Sequence, residues 1–206
     1  MKRFAVIVGL GLLAAGLVTL QPTPSAAAAA VGQAAPDFAL TDVEGGKHAL
    51  SSYRGRFVVL EWVNYDCPFV QKHYGSGNMP RLQKAYAGRG VAWLAINSSA
   101  PGKQGHFGAA EIKSRSKSHS AAFSAYLLDS DGTVGRAYGA KTTPHMYVID
   151  PAGTLIYAGG IDDRPSTDPA DVATAKNFVS TALDEALAGK AVTVATSTPY
   201  GCSVKY

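Results

Sequence analysis

Cysteine is scarce in this sequence, and that scarcity excludes several classes of protein. The 206 residues include two cysteines, Cys67 and Cys202, and five histidines. None of them follows the spacing of a zinc finger or of another metal-ligand motif. We therefore expect no metal site and no bound cofactor. The sequence also has no internal repeat, which excludes a repeat architecture.

An excess of charge of one sign is also missing from most of the chain. The sequence has 19 Lys and Arg against 15 Asp and Glu, and two of the basic residues are Lys2 and Arg3. Without those two, 17 basic residues face 15 acidic ones, which is a net charge of +2. Such a balance argues against binding to nucleic acid or to a membrane surface.

Residues 1–30 differ in composition from the rest of the chain. Two basic residues precede an apolar run over residues 4–20, and an alanine-rich stretch over residues 25–30 offers several Ala-x-Ala cleavage sites. This pattern predicts a secretory signal peptide, and an uncleaved membrane anchor is the alternative. We expect an exported, periplasmic protein with one domain over residues 31–206 and no membrane attachment after cleavage.

The most informative stretch of the sequence runs from Phe57 to His73. Residues 57–63 form an apolar run that predicts a buried strand, and Cys67 follows it directly before Pro68. Proline is favoured at the first position of a helix, so we expect Cys67 to cap a helix at the end of a central strand. The unpaired amides and the helix dipole would then face its sulfur and favour the thiolate, the form that attacks disulfides and peroxides.

The remaining pattern alternates between strand and helix signals. A hairpin is predicted around the Glu-Gly-Gly turn at 44–46. A second apolar strand over 91–96 follows the first one after helical residues, which predicts a parallel strand pair. Two further strands, 146–149 and 154–157, flank a strong turn signal. An amphipathic helix is predicted over residues 171–188.

Four motifs give the chain a resemblance to the thioredoxin superfamily, in the redoxin branch of alkyl hydroperoxide reductases and thiol-specific antioxidant proteins. They are A-P-D-F at 35–38, Y-R-G-R at 53–56, Y-G-A-K-T-T-P-H at 138–145 and Y-G-C-S-V-K-Y at 200–206. The last motif resembles the tail of a subgroup of secreted peroxiredoxin-like proteins. The resemblance implies a thioredoxin-like three-layer α/β/α sandwich with a central mixed β-sheet and an N-terminal β-hairpin.

The departures from these families narrow the chemistry that we expect. A thioredoxin has a second cysteine three residues after the first, where this chain has Val70, and copper chaperones of the same fold have one at the position of Gln71. A peroxiredoxin carries a proline and a threonine at the positions of Leu60 and Asn64. We therefore expect thiol–disulfide exchange and slow reaction with hydrogen peroxide. A thiol peroxidase and a non-catalytic peptide-binding module are the alternatives.

The resemblance also implies which residues surround the attacking cysteine, Cys67. Pro144 would take the place of the family's cis-proline. In this fold the loop before that proline lies against the cysteine, and its backbone pairs with the substrate chain. Thr143, Pro144 and His145, together with Pro68 beside the cysteine, would then bind the substrate.

Two further residues complete the expected site. Glu61 lies six residues before Cys67, where thioredoxins carry a buried acid, and it would either handle protons or point to a sheet edge. Cys202 would either resolve an intermediate on Cys67 through a reversible disulfide or form a permanent disulfide with Cys67. In the chain-entropy treatment, the permanent disulfide would stabilise the folded state by about 4 kcal/mol. The expected partners are thiols and disulfides of proteins or small molecules, with peroxides as the alternative.

Overall fold

The computed structural model describes residue 1 and residues 28–206. The predicted signal peptide falls mainly on residues outside this range and stays a prediction. Within the described part of the chain, no helix combines the length and the apolar character that a membrane span requires.

A mixed sheet of seven strands forms the centre of the described chain, and two further strands form a separate ribbon. The strands are β1 (Ala39–Asp42), β2 (Lys47–Ala49), β3 (Val58–Trp62), β4 (Ala92–Asn97), β5 (Ala125–Leu128), β6 (Thr142–Thr143), β7 (His145–Ile149), β8 (Leu155–Gly159) and β9 (Cys202–Ser203). The order in the large sheet is β2-β1-β5-β4-β3-β7-β8, and the ribbon pairs β6 with β9. The predicted N-terminal hairpin is confirmed, because β1 and β2 pair antiparallel.

Helices cover both faces of this sheet. The described residues form the helices α1 (Pro68–Gly75), α2 (Asn78–Ala87), α3 (Ala109–Ser118), α4 (Thr133–Tyr138) and α5 (Phe178–Leu187), with 3₁₀ turns at Leu50–Tyr53 and Pro169–Ala173. Apolar side chains of α1, α2, α3 and α5 pack against one face, and those of α4 and of the hairpin region pack against the other. The predicted three-layer α/β/α sandwich is therefore confirmed.

Strand β3 lies at the centre of the sheet and carries the site. It pairs in parallel with β4, as predicted, and antiparallel with β7. All of its residues are buried, which explains why its sequence is a continuous apolar run rather than an alternation of apolar and polar residues. Val59 and Val63 face the layer that contains α1, whereas Leu60 and Trp62 face the layer that contains α4.

The predicted helix over residues 171–188 is wrong in its first part. The chain forms a 3₁₀ turn at Pro169–Ala173, and α5 begins only at Phe178. Asn177 separates the two elements, because its side chain accepts a hydrogen bond from the amide of Ser180 at 2.9 Å and caps α5. The apolar pattern of the whole segment therefore covers two elements, and only α5 has fully buried residues.

Candidate active site

Cys67 occupies the position that the sequence predicts for it. After β3 ends, the amide of Cys67 donates to the carbonyl oxygen of Asn64 at 3.0 Å and closes a turn. Cys67 is the N-cap of α1, with an extended backbone (φ −82°, ψ 122°), and Pro68 is the first helical residue. The side chain of Cys67 is fully buried. The predicted junction of strand, cysteine, proline and helix is confirmed.

The sulfur of Cys67 contacts two backbone groups. Its S–H donates to the carbonyl oxygen of Thr143 at 3.0 Å, and the amide of Cys202 donates to it at 3.4 Å. Among the described residues, no first-turn amide of α1 donates a hydrogen bond to this sulfur, so that expectation is wrong. The sulfur points toward β6 and β9 instead.

The loop before Pro144 lies against Cys67, as the resemblance implies. The peptide bond between Thr143 and Pro144 is cis, and both residues are buried. Strand β6 pairs antiparallel with β9, which places Thr143 opposite Cys202. The C-terminal tail therefore occupies the strand position that a substrate backbone takes in the resembled fold.

Cys67 and Cys202 are both free thiols, and Cys202 is only half-buried. Burial, a hydrogen bond with Cys67 and the charge of Cys67 together raise the pKa of the Cys202 thiol to about 11, although Lys205 acts in the opposite direction. Cys202 therefore holds its proton at neutral pH. A thiol that holds its proton is a weak nucleophile, since the thiolate is the attacking species.

Glu61 is buried between the central strand and the helices α1 and α2, not at a sheet edge. Its carboxylate accepts hydrogen bonds from Trp93 (2.7 Å), Tyr74 (2.9 Å) and Gln83 (3.1 Å). Burial raises the pKa of Glu61 to about 7, although these three hydrogen bonds lower it. The three donors explain how a carboxylate is tolerated in an apolar strand. Its proton-handling role stays a prediction.

The structure brings Thr143 and Pro144 to Cys67 but turns the ring of His145 away. His145 packs on the opposite sheet face, where its ring centre lies 4.5 Å from that of Tyr147. Burial lowers the pKa of His145 to about 4. Pro68 is exposed at the start of α1. The substrate-binding roles of these residues stay predictions.

Leu60 and Asn64, the two positions that differ from the peroxiredoxin motif, make contacts within the fold. Leu60 packs in the layer that contains α4, on the opposite side of β3 from Cys67. The side-chain oxygen of Asn64 accepts a hydrogen bond from the amide of Asp66 at 2.9 Å, which holds the turn before Cys67. Leu60 therefore contributes to core packing, and Asn64 holds the local turn.

Sequence reasoning missed a polar cluster beside the two cysteines. The hydroxyl of Tyr200 donates to Oδ1 of Asp162 at 2.5 Å and lies 3.0 Å from Nε2 of His73. Burial lowers the pKa of His73 to about 4, so its ring is neutral at pH 7. Nδ1 then accepts from Asn78 at 2.9 Å, and Nε2–H donates to Tyr200. These residues lie far apart in the sequence, so no local pattern could have joined them.

Comparisons with known proteins identify the family and support the fold. The AhpC/TSA family matches residues 31–158. An uncharacterised conserved protein from Geobacillus kaustophilus has a structure with a TM-score of 0.74 and 29% sequence identity, over 86% of this chain and 92% of that one. The thioredoxin domain of the thiol-disulfide oxidoreductase BVU-2223 from Bacteroides vulgatus has a structure with a TM-score of 0.51 and 18% sequence identity, over 70% of this chain and 96% of that one. This structural similarity shows the thioredoxin fold alone, which is the fold that the sequence motifs imply.

A short stretch also matches a curated relative. Thiol-disulfide oxidoreductase ResA from Geobacillus kaustophilus (strain HTA426) is 57% identical over 35 residues, which is 17% of this chain and 20% of that protein. This chain therefore matches about one fifth of the length of that relative.

Proposed function

Because this chain belongs to the AhpC/TSA family, we propose that it is an exported thiol–disulfide oxidoreductase with Cys67 as its nucleophile and Cys202 as its resolving thiol. The observation that carries the proposal is the amide of Cys202, which lies 3.4 Å from the sulfur of Cys67 on the strand next to the cis-proline. The short match to a relative named thiol-disulfide oxidoreductase supports the same chemistry.

The arrangement supports two successive exchange steps. The Cys67 thiolate attacks one sulfur of a substrate disulfide, forms a Cys67–substrate disulfide and releases the other substrate sulfur as a thiolate. Cys202 then loses its proton and attacks the sulfur of Cys67, which releases the substrate as a second thiolate and leaves a Cys67–Cys202 disulfide. The substrate gains two electrons, the two cysteines lose them, and an external dithiol that reduces the new disulfide completes the cycle.

The state of Cys67 controls when Cys202 reacts. Burial is the largest cause of the raised pKa of Cys202, and the other two causes are the hydrogen bond with Cys67 and the charge of Cys67. Both of these disappear once Cys67 is bonded to the substrate, because a disulfide sulfur carries neither a proton nor a charge. The pKa of Cys202 then falls, so Cys202 becomes more reactive only after the first step.

Glu61 is proposed to handle protons during these steps. Its fully buried carboxyl, with a pKa of about 7, takes up and releases its proton near neutral pH. It also contacts Tyr74, which packs in the same apolar layer as Cys67. A pH profile of the exchange rate in Glu61→Gln tests this role, and a profile identical to that of the wild type would exclude it.

Parallel kinetics with a small disulfide and with hydrogen peroxide test the proposed function. We expect the disulfide to react clearly faster with the protein than with an unfolded cysteine peptide, and hydrogen peroxide to react slowly. Rapid peroxide consumption that depends on Cys67 would establish a thiol peroxidase instead. If Cys67→Ser reacted with both reagents at the rates of the wild type, the protein would instead be a non-catalytic peptide-binding module.

The export part of the proposal has its own measurement. The basic start, the apolar run and the alanine-rich stretch predict a mature chain that begins between Ala27 and Gly32. N-terminal sequencing of periplasmic material determines this start directly. A full-length chain retained in the membrane would contradict export.

A further inference from the structure

The ring of Tyr200 fills a pocket between α1 and the segment that follows β8. Phe69 meets the ring with centroids 5.8 Å apart, and Nζ of Lys72 lies 5.7 Å from the ring centre. At the bottom of the pocket, the Tyr200 hydroxyl reaches Oδ1 of Asp162 and Nε2 of His73. Lys72, His73 and Asp162 are at most 3% exposed. The pocket is therefore a largely buried binding site for a phenol side chain, and Tyr200 of the C-terminal tail fills it.

The next two tail positions are also selected by their surroundings. Gly201 has φ +140°, and a Cβ built on it would overlap the carbonyl oxygen of Thr143. Cys202 pairs with Thr143 and places its amide on the sulfur of Cys67. Position 200 thus favours a phenol side chain, position 201 requires glycine, and position 202 lies beside the sulfur of Cys67.

The tail lies where a polypeptide substrate would have to bind. The edge of β6 that lies beside Cys67 is already paired with β9. A substrate strand that pairs with this edge must therefore displace β9. Its own side chains would then meet the pocket that Tyr200 leaves. Since β9 has two residues and lies outside the seven-stranded sheet, its displacement leaves that sheet intact.

We propose that the pocket of Phe69, His73 and Asp162 is a substrate-recognition subsite for an extended polypeptide with the sequence Tyr-Gly-Cys at its reactive cysteine. The tail segment 200–202 occupies this subsite as an intramolecular competitor until such a polypeptide replaces it. This inference rests on the proposed function for the identity of the reacting sulfur. The recognition of the peptide itself requires no redox step.

A labelled peptide with the sequence Thr-Pro-Tyr-Gly-Ser-Ser-Val, in which serine replaces the cysteine, measures this recognition by fluorescence anisotropy. The receptor is the full-length reduced protein with the substitution Gly201→Ala, which forces the tail off Thr143. We expect binding at least about tenfold tighter than to the wild type, because a tethered tail competes at an effective concentration on the order of millimolar.

Gly189→Ala is the matched control for this variant. Gly189 also has a positive φ, +72°, but it lies outside the tail strand, and an added Cβ would meet nothing within 4 Å. It should bind the peptide as weakly as the wild type does. Tyr200→Phe is a second opening variant, because it removes the hydroxyl that holds the tail in the pocket. It should bind the peptide several-fold more tightly than the wild type.

Two altered peptides test the selectivity of the subsite. Phenylalanine in place of tyrosine should weaken binding about tenfold, because it loses a hydrogen bond to a charged group. Alanine in place of glycine should abolish measurable binding, since its Cβ overlaps Thr143. Equal binding of the three peptides, or no tighter binding to either opening variant than to the wild type, would overturn the subsite.

Exchange with a small disulfide, measured on the same samples, separates this inference from the proposed function. Selective peptide binding without Cys67-dependent exchange would overturn the proposed function and leave the subsite standing. Normal exchange with non-selective peptide binding would overturn the subsite and leave the proposed function standing.

Discussion

Cys67 and Cys202 lie in regions of the molecule that are built in different ways. Cys67 joins the central strand β3 to α1, and every residue of β3 is buried. Cys202 lies on a strand of two residues, both at least partly exposed, in a ribbon outside the main sheet. The core therefore fixes the sulfur that we propose as the nucleophile, whereas the proposed resolving thiol lies on a short strand outside the main sheet.

The contacts of the two regions differ in extent as well. Fully buried apolar packing against two layers holds β3. The end of the tail is held by hydrogen bonds, among them those from the amide of Val204 to Lys141 (3.1 Å) and from the hydroxyl of Tyr206 to Ala140 (2.8 Å), and by the half-buried packing of Val204. Each hydrogen bond contributes only about 1 kcal/mol, so we expect the tail to open more easily than β3.

Substitution of either cysteine should change disulfide exchange strongly, and the two substitutions should act on different steps. Cys67→Ser should reduce disulfide exchange to the uncatalysed background, because it removes the attacking sulfur. Cys202→Ser should keep the first step but stop at the mixed disulfide, because nothing inside the protein resolves the intermediate. Without added thiol, the substrate thiol released in stopped-flow measurements should reach two equivalents per protein for the wild type and one equivalent for Cys202→Ser. Two equivalents released by Cys202→Ser would show that Cys202 is not the resolving thiol.

A core substitution and a tail substitution should differ in their cost to stability. Leu60→Ala creates a cavity in a fully buried strand and should lower the free energy of unfolding by about 2–5 kcal/mol. Val204→Ala truncates a half-buried side chain in the tail and should cost less than about 1 kcal/mol. Urea unfolding curves measure both values, and a similar cost for the two variants would show that the tail is part of the core.

The buried carboxylate makes stability depend on pH. Burial raises the pKa of Glu61 from 4.5 to about 7, so the folded protein holds this proton more tightly than the unfolded chain does. The resulting stabilisation is fully present below about pH 4.5 and is lost as the pH rises through about 7, by up to about 3 kcal/mol.

Glu61→Gln isolates this dependence, because glutamine has no proton to lose. The unfolding free energy of the wild type, measured relative to that of Glu61→Gln, should fall between pH 4.5 and 7. His73 and His145, whose pKa values burial lowers to about 4, titrate in both proteins and cancel in the difference. A difference that stays constant with pH would contradict the raised pKa of Glu61.

Substitution of Tyr200 should have a local effect on the attachment of the tail. Tyr200→Phe leaves Asp162 and His73 without their hydroxyl partner and should weaken the attachment by about 1–3 kcal/mol. Hydrogen exchange of the Cys202 amide should then become faster, while the amides of β3 keep their rates. Tyr206→Phe, which removes a hydroxyl bonded only to Ala140, is the control and should have a smaller effect. Unchanged exchange at Cys202 would remove Tyr200 as the anchor.

The sequence predicted the region around Cys67 well, because that region depends on neighbouring residues. An apolar run, a cysteine and a proline specify a strand, a cap and a helix start through local rules. The hydrogen bonds of the sulfur were predicted wrongly. They depend on Thr143 and Cys202, which are distant in the sequence, and not on the amides of α1.

The tail could not be predicted from local rules for the same reason. Strand β9 has two residues and exists only because β6 offers an unpaired edge. The pocket of Tyr200 depends on Asp162 and His73, and neither residue carries a local signal that points to the tail. The break in the predicted helix over 171–188 likewise depends on the side chain of Asn177, which caps α5. Long-range contacts thus set the features that sequence reasoning missed.

Peptide mapping by mass spectrometry after one turnover shows whether Cys67 attacks first and Cys202 resolves the intermediate. Reduced wild type and Cys202→Ser are each mixed with one equivalent of a small disulfide, quenched with acid and digested. We predict that the wild type yields linked peptides containing Cys67 and Cys202 and no adduct, whereas Cys202→Ser retains half of the reagent on Cys67. A stable adduct on Cys67 in the wild type, or an adduct on Cys202 with Cys67 free, would contradict the account.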